Sequence, residues 1–189
     1  MTVAANFNIA LLHYPVYDKN RDVVATAVTN LDIHDIARSA RTYGVSRYYI
    51  VTPVEEQRRL VEKIRQHWLS GWGSTYNPKR KLALELLQTE NSLAEAILDI
   101  EKRTGRRPKT VVTGASGRDN SVSFSDLKAL IDAEPEQPFL MLLGTGWGLT
   151  EEVFDKSDYV LAPISGGGDY NHLSVRSAAS IMLDRLFGR

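Results

Sequence analysis

Cysteine is absent from the 189 residues. Its absence excludes disulfides and thiolate metal sites and fits a reducing, cytoplasmic setting. No apolar run approaches the roughly 18–20 residues needed to cross a bilayer. Met1 to Ala10 lacks the basic start and long apolar stretch of a secretory signal. Net charge is missing too: 23 Lys and Arg cancel 23 Asp and Glu, so the global field will not draw in nucleic acid, and any such contact must come from local patches. The four histidines (His13, His34, His67, His172) show no metal-ligand spacing, and no metal site is expected. Phosphate fingerprints are lacking as well. Gly144, Gly146 and Gly148 are spaced G-x-G-x-G rather than G-x-G-x-x-G, and no G-x-x-x-x-G-K-[ST] occurs. Ser116, in G-A-S-G-R, is not a nucleophile elbow.

What is present is an alternation of strand-length apolar runs and helical periods. Asn8 to Tyr14, Arg47 to Val51, Thr110 to Thr113, Phe139 to Leu143 and Tyr159 to Ala162 read as strands, with a short extended piece at Val23 to Thr29. Ile33, Ile36, Ala37, Ala40 and Tyr43 mark a first helix, capped by Asp32 or Asn30 and closed by Gly44. Glu55 to Trp68 reads as a second helix, and Ser70 to Lys81 as a loop. Leu82 to Gln88 fits strand or helix by pattern; a strand is favoured because Asn91 or Ser92 then caps a clear helix ending at Gly105. Ser125 is expected to cap a helix to Ala133, and Thr150 to start a short acidic one. A final helix turns Val175, Ala178, Ala179, Met182 and Leu186 inward. Strands that run apolar without alternation predict a mostly parallel sheet with helices on both faces, in one α/β domain over residues 1–189.

Ligands of open parallel sheets bind beyond the carboxyl ends of the strands. Three such ends carry glycine: Thr113 to Gly117, Gly144 to Gly148, and Pro163 to His172. A single loop of this kind is usually just a tight turn; three at successive late strands point to one small molecule wrapped by main-chain groups.

These loops, with the first helix, resemble the SPOUT class of S-adenosylmethionine-dependent RNA methyltransferases. Asp32 to Gly44 resembles its first motif through Arg38, Ser39, Ala40, Tyr43 and Gly44, with Asp32 where many members carry Asn. Leu142 to Glu152 resembles the second motif and Ala162 to Leu183 the third. Asn171 and His172 look more like the tRNA guanine-N1 methyltransferases than the ribose methyltransferases, so the target atom is not inherited from either branch. Within that class the chain resembles a small bacterial group related to a domain sometimes fused to a guanine-N1 methyltransferase. The resemblance implies a C-terminal trefoil knot, a homodimer packed through the first and last helices, and S-adenosylmethionine bound in a bent shape. It also implies methyl transfer to RNA, with tRNA the favoured substrate.

Under that resemblance Thr113, Ala115, Gly144, Gly146, Gly148, Ile164, Leu173 and Ser174 line the cofactor pocket. Adenine would meet main-chain atoms around Ile164 and Leu173. Arg38 and Asp169 are the catalytic candidates, against a surface arginine and a turn aspartate. Asn171 and His172 either orient substrate or cap the last helix, and Arg176 is expected in solvent or in a salt bridge. Trp72, Lys79 and Arg80, in a segment that also holds Trp68, Tyr76 and Lys81, are candidate RNA contacts, because bases stack on aromatics and phosphates pair with cations. Arg103, Arg106, Arg107 and Lys109 form a second basic cluster. The competing reading is a non-catalytic cofactor-binding or dimerisation module serving another RNA-modifying enzyme.

Overall fold

The computed structural model describes residues 6–188; half of the segment weighed for a secretory signal, Met1 to Ala5, lies outside them. The strands are β1 (Phe7–Leu12), β2 (Val16–Tyr17), β3 (Val23–Val24), β4 (Arg47–Val51), β5 (Leu87–Glu90), β6 (Lys109–Val112), β7 (Ser121–Val122), β8 (Phe139–Gly144) and β9 (Tyr159–Leu161). The helices are α1 (Asn30–Thr42), α2 (Glu55–Leu69), α3 (Trp72–Tyr76), α4 (Pro78–Leu84), α5 (Leu93–Thr104), α6 (Phe124–Ala133), α7 (Glu151–Asp155) and α8 (Val175–Phe187). Seven strands form one sheet in the order β5-β4-β1-β8-β6-β9-β7, and every pairing in it is parallel.

Both faces are covered, and the two-residue period of the strands explains why these runs are apolar throughout. Phe7, Ile9 and Leu11 enter one core with Tyr48, Ile50, Phe139, Met141 and Leu143, beneath α1, α6 and α8. Ala10 and Leu12 enter the other with Tyr49, Val51, Leu140 and Leu142, beneath α5 and α7. Asn8, a buried polar residue of β1, donates from Nδ2 to the Phe139 carbonyl at 3.1 Å. Its Oδ1 accepts from Arg103 at 3.1 Å, which leaves neither end unsatisfied.

Four local expectations are corrected. The segment Ser70 to Lys81 is largely helical, forming α3 and most of α4. Asn77 caps α4 by accepting from the Arg80 amide, and Pro78 occupies the first helical turn, where its missing N–H costs nothing. The strand expected at Leu82 to Gln88 therefore begins only at Leu87. The cap of α1 is Thr29, not Asp32 or Asn30. The cap of α6 is Ser123, with Ser125 inside the helix.

Candidate active site

Because β1, β8, β6 and β9 run parallel, their carboxyl ends share one edge of the sheet. Leu12 pairs with Gly144, Leu142 with Val112, and Val112 with Val160. The three loops leaving β6, β8 and β9 surround a cavity of about 750 Å³, a size suited to a small-molecule cofactor. All eight residues expected around the cofactor line it: Thr113, Ala115, Gly144, Gly146, Gly148, Ile164, Leu173 and Ser174. Asn171 and His172 line it too. Asn171 donates from Nδ2 to the Ala115 carbonyl at 3.1 Å, tying the loop after β9 to the loop after β6.

Gly144, the last residue of β8, and Gly146 are demanded by the packing behind the cavity. A Cβ on Gly144 would meet Leu149 Cγ at 2.8 Å. Gly146 has φ +60° and sits where a Cβ would lie 2.9 Å from the Tyr17 carbonyl. The turn is pinned further by hydroxyls. His13 Nδ1 lies 3.1 Å from Thr26 Oγ1, which lies 2.5 Å from Thr145 Oγ1, which donates to the Leu12 carbonyl at 3.1 Å. A single donor order satisfies that chain, with neutral His13 donating from Nδ1 at its head. Burial holds the His13 imidazole down at a pKa of about 4, against a smaller upward pull from Asp32.

Sequence reasoning missed one wall. Asp32 is buried, 5% exposed, and lines the cavity beside Arg176. Arg176 Nη1 donates to Asp32 Oδ1 at 2.8 Å, and Thr29 Oγ1 donates to Oδ2 at 2.6 Å. Arg176 thus takes the salt-bridge alternative, with Asp35 3.7 Å from its Nε. The buried Asp32 carboxylate is thus neutralised by the chain's own last helix. At the rim, Arg118 pairs with Glu151 at 2.7 Å and lies 3.8 Å from the Phe154 ring centroid.

The remaining candidates lie elsewhere. Arg38 is on an exposed part of α1, 3.9 Å from Asp35, and does not line this cavity. Asp169 is exposed in the loop after β9 and does not line it either. Trp72 stands on α3, and Lys79 and Arg80 on α4. In the second basic cluster, Arg103 is engaged by Asp99 and Tyr49, and Lys109 by Glu134 at 2.7 Å. Arg106 and Arg107 are exposed, Arg103 is exposed although paired, and Lys109 is half-buried. Among the described residues no His, Cys, Asp or Glu group is placed to hold a metal. No described helix is long and apolar enough to cross a membrane.

The architecture is that of the SpoU-type methyltransferases. The AviRb methyltransferase of Streptomyces viridochromogenes, solved in complex with S-adenosylmethionine, superposes with a TM-score of 0.58 at 18% identity, covering 96% of this chain and 57% of that one. More specifically, the family model for S-adenosylmethionine-dependent RNA methyltransferases matches residues 6–188, and the chain belongs to that family. A tRNA (guanine-N(1)-)-methyltransferase of Oleidesulfovibrio alaskensis is 45% identical over 97% of this chain, and the chain spans only 42% of that protein's length. An uncharacterized protein of Aquifex aeolicus is also 45% identical, and there the match covers 89% of its length.

The cavity fits the cofactor of that family. It is bounded by exposed backbone at glycine loops and by the apolar side chains of Leu143, Ile164 and Leu173, with charge confined to its rim and to the paired Asp32–Arg176 wall. Such a lining suits an adenosine held by main-chain hydrogen bonds.

Proposed function

We propose that this chain is a single methyltransferase domain over residues 1–189 that binds S-adenosylmethionine in the cavity beneath the three loops and methylates tRNA in the cytoplasm. The observation that carries the proposal is the convergence of all three glycine loops on one cavity at the carboxyl edge of a parallel sheet. S-adenosylmethionine supplies an electrophilic methyl on a sulfonium, so the protein has to position the acceptor and remove a proton where the acceptor carries one. The backbone around Ile164 and Leu173 takes the adenine. The loops after β6 and β8 exclude water from the remainder of the cofactor. Asn171 and His172, exposed at the mouth, orient the entering nucleotide.

Two features of the proposal extend past one protomer. α1 and α8 lie side by side, joined by the Ser39–Ser180 hydroxyl contact at 2.7 Å and by Tyr43 donating to Asp184 at 2.9 Å. A homodimer formed on this layer would carry Arg38 toward the partner's cavity, where it can bind a phosphate or favour proton loss from the acceptor. Asp169, on the open glycine loop, is the proton acceptor in this scheme. The C-terminal segment is proposed to be knotted, as in the class it resembles. The shared identity with guanine-N1 methyltransferases that are more than twice as long also suits a domain that works beside another tRNA enzyme.

The test is methyl incorporation into unmodified tRNA transcripts from labelled S-adenosylmethionine. Activity that falls at least a hundredfold in Arg38→Ala or Asp169→Ala, with cofactor affinity retained, supports the assignment. Incorporation unaffected by both changes contradicts it.

A further inference from the structure

On the other side of α1 lies a second pocket, of about 360 Å³. Asn30, His34, Lys63, His67 and Arg80 line it around the ring of Trp68. The Arg80 guanidinium lies 4.7 Å from the Trp68 centroid. The His34 and His67 rings meet Trp68 edge-on at 5.6 and 5.1 Å. The pocket has no carboxylate in its lining. The cations of this region that do form ion pairs, such as Arg59 and Arg65, do so with Glu55 and Glu62 on the surface of α2. On two of the lining residues, His34 Nδ1 and Arg80 Nε are buried with no hydrogen-bond partner among the described residues. A buried polar atom without a partner is costly, and the Arg80 Nε–H, which can only donate, calls for an acceptor.

Several observations fix the character of that occupant. Lysine and arginine side chains with imidazoles, and no carboxylate, repel a metal ion and attract an anion. Burial and the neighbouring Arg80 and Arg38 push the His34 pKa down, and only Asp35 pulls it up, so the site is short of negative charge. The neighbouring surface is aromatic. Trp72 and Tyr76 stack on each other with centroids 4.6 Å apart and planes 20° from parallel, yet they remain 69% and 71% exposed. Helix α3 is pressed against the pocket wall because Gly73 has no Cβ; one would lie 2.7 Å from the Trp68 ring and 2.9 Å from His67. The first turn of α1 joins the two sites: Thr29 and Asp32 line the large cavity, and Asn30 and His34 line the small pocket.

We infer that this pocket is a phosphate subsite for the RNA strand: Lys63, Arg80 and His34 seat one backbone phosphate while an unpaired base stacks on Trp72. The inference rests on the proposed RNA substrate and says where, beside the cavity, the strand is gripped. Phosphate contacts of this kind position a strand without reading its sequence, and an open aromatic face accepts any base.

Binding of a fluorescent tRNA transcript, followed by anisotropy at several salt concentrations, tests the subsite, with S-adenosylmethionine calorimetry run on the same samples. Lys63→Gln with Arg80→Gln is expected to weaken RNA binding at least tenfold. The salt slope should fall by about 0.7–0.9, the loss of one phosphate contact. Lys63→Gln alone, a change at an exposed side chain, is expected to weaken binding about threefold and guards against misfolding of the double variant. Trp72→Ala should cost at least fivefold with the salt slope unchanged, since stacking is not ionic. Cofactor affinity should stay at the wild-type value in all three. RNA binding within twofold of wild type in the double variant, or wild-type protein that binds cofactor but no RNA, overturns the inference. Wild-type protein that binds RNA with this dependence but no S-adenosylmethionine supports the subsite and contradicts the proposed function instead.

Discussion

Burial holds the imidazole of His13 neutral at a pKa of about 4, below the ordinary value of 6.5. The unfolded chain therefore takes up a proton that the folded chain refuses between those two values. The stability tied to this group is complete above pH 6.5 and is lost as pH falls toward 4, by about 3 kcal/mol in all. Replacing His13 with Gln should remove that slope. Urea unfolding at pH 4.5 and 7.5 is expected to show a larger loss in the wild type than in the variant, and equal losses would refute it. Gly146 offers a second residue-scale prediction. An alanine there meets both a positive φ and the Tyr17 carbonyl, so the turn after β8 must move. Gly146→Ala is expected to lower S-adenosylmethionine affinity at least tenfold, about 1.4 kcal/mol, while the protein still unfolds cooperatively. Asp32→Ala should act on stability instead, because it strands Arg176 at the cavity wall. A loss of about 2–3 kcal/mol is expected, below the full cost of breaking a buried pair because Arg176 keeps Asp35 and is partly solvated.

At the scale of elements, α4 shows where local signals compete. Asn77-Pro78 reads equally as a turn and as a helix start. It is a start here because Ala83 and Leu84 are buried against the core shared with α1 and α2. Asn77→Ala should cost about 1 kcal/mol of stability through the lost cap, measurable by chemical denaturation; no change would mean that packing alone holds the helix. The same competition explains what was legible in the sequence. β1, β4, β6, β8 and β9 carry one kind of signal: apolar, β-rich and followed by Gly or Pro. The glycine loops that follow β6, β8 and β9 were legible for the same reason, and they bring all eight expected lining residues to one cavity. The Asp32–Arg176 wall was not legible, because its partners are 144 residues apart and meet only when α8 docks beside α1. The two-residue strands β2 and β7 are set by their neighbours and carry no periodic signal.

For the molecule as a whole, the zero net charge and the exposed α1–α8 layer bear on assembly. Light scattering should give a mass of about twice 21.1 kDa in the proposed dimer, and a monomer would leave Arg38 with no cavity to serve. A dimer also places two copies of the Trp72–Arg80 surface on one particle, which lets a neutral protein present local positive charge to RNA. The cavity at the carboxyl edge of the sheet is the proposed S-adenosylmethionine site. Calorimetric titration of the wild-type protein tests it most directly, with S-adenosylhomocysteine, NAD and ATP in parallel and Gly146→Ala as the site control. Micromolar binding of S-adenosylmethionine and S-adenosylhomocysteine, weakened in the variant and absent for NAD and ATP, is the predicted result. Preferential binding of NAD or ATP, or S-adenosylmethionine binding untouched by Gly146→Ala, would contradict the account.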